Sequence, residues 1–266
     1  MLKLLRCAIL ASRPKGWRAY MWMGVLGLLQ GKPSFQAAAV AIYSLASYLA
    51  TAFAVNNFFD EKSDALNPRK DNPFVRGCDK SAVHLVAANQ AVALLLVAAC
   101  APTLSLAAYL AAVLLVVAYS APPFRLKSVA GLDVLSHVFY FGVLPFYFGA
   151  ALSGAGASPT AFYAALILGT YSAFLQLRNL KEDRSCDKIA GDRTLFVKRP
   201  ALSQALLYAS GTFSAAGAAL LSPLSAALAF PASLLLGWRR GWERFVDSLV
   251  AVSLSLPAVT ALCGFY

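Results

Sequence analysis

The sequence is short of charge. Only 13% of its 266 residues are charged and 59% are hydrophobic, against about 25% and 45–50% in a typical soluble domain. Mean hydropathy is +0.65. This balance excludes a disordered chain, a coiled coil and a secreted disulfide scaffold, and it separates the protein from ordinary soluble enzymes. It reads as an integral membrane protein. Two histidines leave little for an imidazole metal site. The cysteines Cys7, Cys78, Cys100, Cys186 and Cys263 form no C-x-x-C pair and no zinc-ligand spacing, so they read as buried or membrane-facing thiols. Acids are scarce: 12 Asp and Glu face 23 Lys and Arg, for a net charge of +11. In a soluble chain that excess would suggest nucleic acid. In a membrane chain the placement of the charges matters more, and no nucleic-acid partner is expected. The N-terminal run MLKLLRCAILASRPKGWR is too briefly apolar, and lacks a convincing cleavage site, for a signal peptide. It reads as mature protein lying at the membrane surface.

What the sequence does have is long apolar runs. A spanning helix needs about 20 mostly apolar residues. Nine segments qualify: 17–31, 35–58, 82–101, 103–121, 130–152, 158–178, 201–221, 223–238 and 246–265. The first and eighth are short and call for tilt or flanking residues. Pro102 and Ser222-Pro223 mark sharp breaks between neighbouring spans. With these spans, every Lys and Arg except Lys32 falls in alternate connections. Under the positive-inside rule the N-terminus is cytoplasmic, nine crossings follow, and the C-terminus is outside. All 12 acids fall on that same cytoplasmic side. The expected fold class is therefore all-α: a polytopic membrane protein of one domain, with two pseudo-repeated halves at about 1–128 and 129–266. A prokaryotic cell membrane fits the charge bias, with the active face toward the cytoplasm.

Two spans end in matched polar stripes. The second runs into Asn56, Asp60 and Asp64, and the sixth into Asn179, Asp183 and Asp187, both as N-x-x-x-D-x-x-x-D. On a helix such positions share one face. Each stripe thus aims an amide and two carboxylates in one direction. Helix-end pairing with Lys or Arg would account for one stripe. Two of identical spacing on one membrane face point to a divalent cation such as Mg²⁺, which takes carboxylates together with phosphate oxygens. All six residues are candidate metal ligands. Basic companions follow in Asn67-Pro68-Arg69-Lys70-Asp71-Asn72-Pro73-Phe74-Val75-Arg76-Gly77 and in Tyr119-Ser120-Ala121-Pro122-Pro123-Phe124-Arg125-Leu126-Lys127. Cations beside metal ligands suit the clamping of a diphosphate. Arg76 and Lys127 are read in this way, with Arg69 evenly balanced. Lys3, Arg6, Arg239, Arg240 and Arg244 read as lipid anchors.

These elements resemble the UbiA superfamily of intramembrane aromatic prenyltransferases. The first stripe is similar to that family's N-D-x-x-D-x-x-x-D, as Asn56, Asn57, Asp60 and Asp64, with Asn57 where Asp is usual. The second is similar to its D-x-x-x-D helix end, as Asp183 and Asp187, followed by Gly191 and Thr194-Leu195. Asn179 stands where many members carry Asp. Tyr119-Ser120 through Lys127 is similar to its Y-S-x-x-x-x-x-K element, and Arg13-Pro14 to the motif opening its first helix. The usual R-P-x-P-x-G is altered here, which moves the diphosphate-contacting arginine to Arg69 or Arg76.

The resemblance implies Mg²⁺-dependent transfer of an isoprenyl chain, geranyl to polyprenyl, from its diphosphate through an allylic cation. The implied acceptor is aromatic, such as 4-hydroxybenzoate. A non-aromatic lipid, such as geranylgeranylglyceryl phosphate or a polyene, is the alternative. Asp60, Asp64, Asp183, Asp187 and Lys127 would carry catalysis, and Asn56, Arg69, Arg76, Tyr119, Lys127, Arg13 and Tyr147 would bind substrate. Phe53, Phe139, Tyr140, Tyr147, Tyr171 and Phe174 are candidate cation-facing aromatics. His84 and His137 carry little weight as catalysts, and an Asp of the stripes or the diphosphate would take the departing proton. A secondary transporter is the rival class, and its intramembrane charges are missing.

Overall fold

The computed structural model of the chain describes residues 1–67 and 70–262. Arg69 therefore lies outside the described residues, as do Cys263 and the last residues of the ninth expected span. The described residues are helical, apart from loops and one isolated bridge between Val129 and Arg193. In chain order the helices are α1 Leu2–Ser12, α2 Arg18–Leu28, α3 Phe35–Phe59, α4 Glu61–Asp64, α5 Ala82–Cys100, α6 Thr103–Ser120, α7 Leu132–His137, α8 Leu144–Leu152, α9 Pro159–Ala190, α10 Leu195–Lys198, α11 Pro200–Leu221, α12 Pro223–Arg240 and α13 Trp242–Leu262. A π-helical segment, Val138–Val143, joins α7 to α8 without a break.

Local chemistry sets the helix ends. The Ser34 hydroxyl accepts from Ala37 N at 3.1 Å to start α3, and Ser158 does the same for α9 through Ala161 N at 3.1 Å. Pro159, Pro200 and Pro223 open their helices, where a missing N–H costs nothing. Gly191, at φ 79°, closes α9 in the left-handed conformation.

Among the described residues, five helical segments are long and apolar enough to cross a membrane: Phe35–Phe59, Ala82–Cys100, Thr103–Ser120, Leu132–Leu152 and Pro159–Ala190. The other four expected spans are helical but differ in character. α2 has 11 residues, about 17 Å at 1.5 Å each. α11, α12 and α13 are long enough but diluted, α11 by Ser203, Gln204 and Thr212, α12 by Arg239 and Arg240, and α13 by Glu243, Arg244 and Asp247. Exposed Leu95, Leu114, Leu220, Leu228 and Trp238 give the surface the apolar character that lipid requires.

α2 packs in parallel along α8 and the π segment. Tyr20 stacks on Phe141 with ring centroids 3.8 Å apart, and farther along the backbones nearly touch. A Cβ on Gly27 would lie 1.9 Å from the Phe146 carbonyl oxygen, and one on Gly149 would lie 2.3 Å from that of Gly24. Small residues permit this approach, which suits a lipid setting where packing is the main adhesive. Elsewhere α1 lies against α3 and α5 through Ala8 and Ala11. Cys7 and Cys78 form a disulfide across a separation of 71 residues, with Cα atoms 5.5 Å apart. This corrects the expectation of free thiols for those two, because spacing in sequence says nothing of a tie between a helix and a distant loop. Cys100 is free and exposed, and Cys186 is free and half-buried. Between α3, α5 and α6, the Gln90 side chain accepts from Thr51 at 3.1 Å and donates to Tyr109 at 3.0 Å.

Candidate active site

α3 ends with Asn56 in its last turn and Asp60 just past it, and the one-turn α4 carries the stripe on to Asp64. α9 is 32 residues long and keeps Asn179, Asp183 and Asp187 on one uninterrupted helix. All six line a single cavity of about 400 Å³, together with Arg13, Lys70, Lys127, Asp192 and Thr194. The two stripes face each other across it.

Cations are already seated among the carboxylates. Lys127, 9% exposed, forms an ion pair with Asp60 Oδ1. Arg125 Nη2 lies 3.5 Å from Asp60 Oδ1 and 3.5 Å from Asp192 Oδ1. Lys70 Nζ lies 2.6 Å from Asp183 Oδ2. Arg13 lines the cavity and donates from Nη2 to the Asp71 carbonyl at 3.0 Å. Arg13 and Arg125 both hold positive φ, 45° and 39°, a conformation that is strained for a long side chain. Burial holds the Lys127 ammonium below the ordinary lysine range, although Asp60 pulls the other way. Burial also raises the Asp64 carboxyl, and the hydrogen bond from Asn72 offsets part of that rise.

Two expected contacts are corrected. Arg76 is exposed and pairs with Asp71 at 3.1 Å, away from the cavity. Its neighbour Phe74 is buried and fixes the loop, and the turn at Gly77, φ 85°, leaves Arg76 on the surface. Tyr147 is also absent from the cavity lining and packs edge-on to Phe146. The sequence reading missed Lys70 and Asp192. Both sit in loops without periodicity, and adjacency to the stripes was the only available signal.

Asparagines brace the carboxylates. Asn72, 1% exposed, donates from Nδ2 to Asn57 O at 2.7 Å and to Asp64 Oδ2 at 2.9 Å, while its Oδ1 accepts from Phe74 N at 3.0 Å. Asn57 is fully buried and turns to α1, donating to Ala11 O at 2.7 Å. It lies outside the cavity lining, so its amide ties helices together. Asn56 Nδ2 donates to Ser120 Oγ at 3.3 Å, and Thr194 Oγ1 donates to Asp187 Oδ2 at 3.2 Å. Leu195 N donates to Asp133 Oδ2 at 2.6 Å, which pins the loop after α9 to the start of α7.

The inner end of the cavity is apolar and aromatic. Tyr20, Ala52, Phe53, Val116, Tyr119, Tyr140 and Phe141 line it, with His137 and Gln176. Gln176 Nε2 donates to the Tyr119 hydroxyl at 2.9 Å. Of the aromatics expected to face a cation, Phe53 and Tyr140 are here. Phe139 is 43% exposed on the outside, and Tyr171 and Phe174 are packed in the core beside Trp22 and Trp242. His84 is exposed on α5.

Among the described residues, no three His, Cys, Asp or Glu side chains are drawn together as a self-sufficient metal site. The donors nonetheless fit Mg²⁺. They are hard oxygens, divided between two helix ends across a gap, and Mg²⁺ completes its shell with water and phosphate oxygens more readily than with an all-protein cage.

Comparison with known proteins agrees with this architecture. The model of the UbiA prenyltransferase family matches residues 19–249. The chain belongs to that family. It is 32% identical over 185 residues to a lycopene elongase/hydratase of Haloarcula japonica, covering 65% of this chain and 61% of that one. It is 33% identical over 163 residues to a lycopene elongase/hydratase of Halobacterium salinarum, covering 59% and 57%. The matches thus span about three-fifths of the length of these curated relatives. The UbiA fold itself is shared more completely. A UbiA homolog from Archaeoglobus fulgidus, solved bound to GPP and Mg²⁺, superposes with a TM-score of 0.72 at 21% identity, covering 96% of this chain and 99% of that one.

Proposed function

We propose that the protein is an intramembrane prenyltransferase that moves an isoprenyl group from its diphosphate to an apolar acceptor. The observation that carries this reading is the shared cavity: Asp60 and Asp183, from separate halves of the chain, line the same polar mouth above an aromatic chamber. Asn56, Asp60, Asp64, Asn179, Asp183 and Asp187 would hold Mg²⁺. When bound, Mg²⁺ supplies charge neutralisation to the departing diphosphate.

The chain's own residues do the rest. Lys70, Lys127 and Arg13 offer cations at the mouth, where negative charge grows as the allylic C–O bond breaks. These interactions strengthen toward the transition state, which is what accelerates the step. Tyr20, Phe53, Tyr119, Tyr140 and Phe141 line the chamber that would hold the cationic carbon, and a ring whose face meets it would be worth roughly 0.5–2 kcal/mol. Their packing also keeps water from the cation. We read all nine expected spans as crossings of a single domain. The parallel run of α2 along α7–α8, from Tyr20 at the cavity to Gly31 beside Ser153, supports a crossing even for the shortest helix.

For the acceptor, a polyene or similar lipid is favoured over an aromatic acid. The Lys and Arg side chains that line the cavity among the described residues, Arg13, Lys70 and Lys127, are those read above as meeting the diphosphate, which leaves none to pair with an aromatic carboxylate. The relatives named lycopene elongase/hydratase support the same choice. Purified protein in lipid nanodiscs, given Mg²⁺, dimethylallyl or geranyl diphosphate and separate acceptors, should yield a mass increase of one isoprenyl unit on the polyene. A product only on 4-hydroxybenzoate would reverse the acceptor assignment. Turnover that survives both Asp60→Ala and Asp183→Ala would dismiss the site.

A further inference from the structure

Prenyl transfer to a carbon acceptor leaves a proton to be removed, and the mouth is poorly placed to remove it. Two of its carboxylates, Asp60 and Asp183, are engaged by Lys127, Arg125 and Lys70, Asp64 and Asp187 take hydrogen bonds from Asn72 and Thr194, and all four would be shared with metal and diphosphate. Among the described residues that line the cavity, His137 supplies the one imidazole. This residue is 2% exposed and lines the cavity at the last turn of α7, where the helix passes into the π segment Val138–Val143. Such π segments recur at functional sites because they turn side chains out of the α-helical phase.

The hydrogen bonds around His137 are compatible with one tautomer, in which Nδ1 carries the hydrogen. The Ser172 hydroxyl donates its single proton to the His137 carbonyl oxygen at 2.9 Å. Ser172 Oγ also lies 2.9 Å from His137 Nδ1. In this arrangement Oγ accepts from Nδ1–H while its own proton goes to the carbonyl. Nε2 is then the lone-pair nitrogen. Its polar neighbour is the Tyr20 hydroxyl at 3.5 Å, a long, weak hydrogen bond that gives way when the lone pair takes a proton. Aromatic rings surround the imidazole: Phe141 at 4.9 Å, Tyr140 at 5.3 Å and Tyr20 at 5.7 Å between centroids. These faces suit both the passing carbocation and the imidazolium formed when the proton arrives.

We propose that His137 Nε2 is the base that ends the reaction, with Ser172 as the residue that positions it. This rests on the prenyltransferase reading above but not on the acceptor chosen there. The allylic C–O bond breaks and its electron pair leaves with the diphosphate. A π bond of the acceptor forms the new C–C bond at the allylic carbon and leaves a cation on the adduct. The neighbouring C–H bond then gives its electron pair to a new C=C bond, and its proton passes to Nε2. His137 becomes an imidazolium beside Tyr20 and returns the proton to water once product departs.

The test separates donor ionisation from its outcome. In nanodiscs with Mg²⁺, donor and acceptor, diphosphate release is measured beside the alkene product, the free isoprenyl alcohol and the hydroxylated adduct. His137→Gln should lower the fraction of ionised donor ending as alkene product by roughly 100-fold. The remainder should appear as alcohol and hydroxylated adduct, since water takes the cation when no base takes its proton. Imidazole added to His137→Gly should restore the alkene product. Ser172→Ala, which releases the tautomer and leaves the ring, should shift the same ratio less and serves if the histidine variants fail to fold. An unchanged ratio in His137→Gln, or in Ser172→Ala where that variant must decide, overturns the assignment. A parallel loss of all products at constant ratio would mark a structural role and overturn it equally. No Mg²⁺-dependent diphosphate release from the unaltered protein would defeat the prenyltransferase reading itself.

Discussion

Lys70 Nζ sits 2.6 Å from Asp183 Oδ2, so a loop that follows the first stripe closes onto a carboxylate of the second. The pair is partly exposed, at 33% and 24% of the two side chains, and a cation in this place competes with metal for Asp183. When diphosphate arrives, the ammonium has a new anion to serve. Lys70→Gln should therefore bind Mg²⁺ more tightly in the absence of diphosphate and bind inorganic diphosphate with Mg²⁺ more weakly. Isothermal titration of each ligand checks both signs, and a change of the same sign in the two would refute the exchange.

Lys127 offers a pH test. Burial favours its neutral form, so its charge is full at low pH and is lost at a pH below the ordinary lysine value. Affinity for inorganic diphosphate should fall as pH rises toward that value. The anion titrates too, which makes Lys127→Arg the control, because guanidinium stays charged across the range. The ratio of the two affinities should widen with rising pH, and a flat ratio would show that Lys127 does not meet the anion.

The crossing of α2 with α8 is a test of packing alone. At Gly27 an added methyl would meet the Phe146 backbone at 1.9 Å, and backbone cannot step aside. At Gly217 the obstacle is a side-chain atom, Ile167 Cγ1 at 2.9 Å, which can yield in part where backbone cannot. Gly27→Ala should cost about 3 kcal/mol or more, while Gly217→Ala should cost about 1–2 kcal/mol. Thermal unfolding in detergent ranks the two, and equal losses would argue against the close approach.

Asn57 distinguishes a brace from a ligand. Its fully buried amide donates to Ala11 O, and an ionised carboxylate in its place has no proton to give. Asn57→Asp should lower stability by about 2 kcal/mol or more and leave Mg²⁺ affinity of the folded protein unchanged. A gain in Mg²⁺ affinity would return this position to the metal site.

The elements legible in sequence were those with a period. Each stripe repeats every four residues, the second on one helix and the first carried from α3 into α4, and Asp60 and Asp183 are found at one cavity. Lys127 follows Tyr119-Ser120 at a fixed distance and reaches Asp60. Prediction failed where the period breaks. Through Val138–Val143 the chain advances on a wider turn, so a face counted at 3.6 residues per turn drifts. Tyr147 is consequently turned away, while Phe141 and Tyr20 enter the chamber unforeseen. Arg76 was misplaced because a buried Phe74 and a glycine turn, both features of tertiary packing, decide where that loop points. The Cys7–Cys78 tie likewise depends on partners distant in the chain.

Arg13 and Arg125 rest in left-handed backbone that glycine would adopt at roughly 1–2 kcal/mol less. Replacing either by glycine would relax the doorway of the chamber and remove a positive charge from it in the same stroke. Thermal robustness and the welcome given to an incoming anion are thus opposed at these two positions, and a search for hardier variants would drift toward a protein that holds its shape but lets its cargo go.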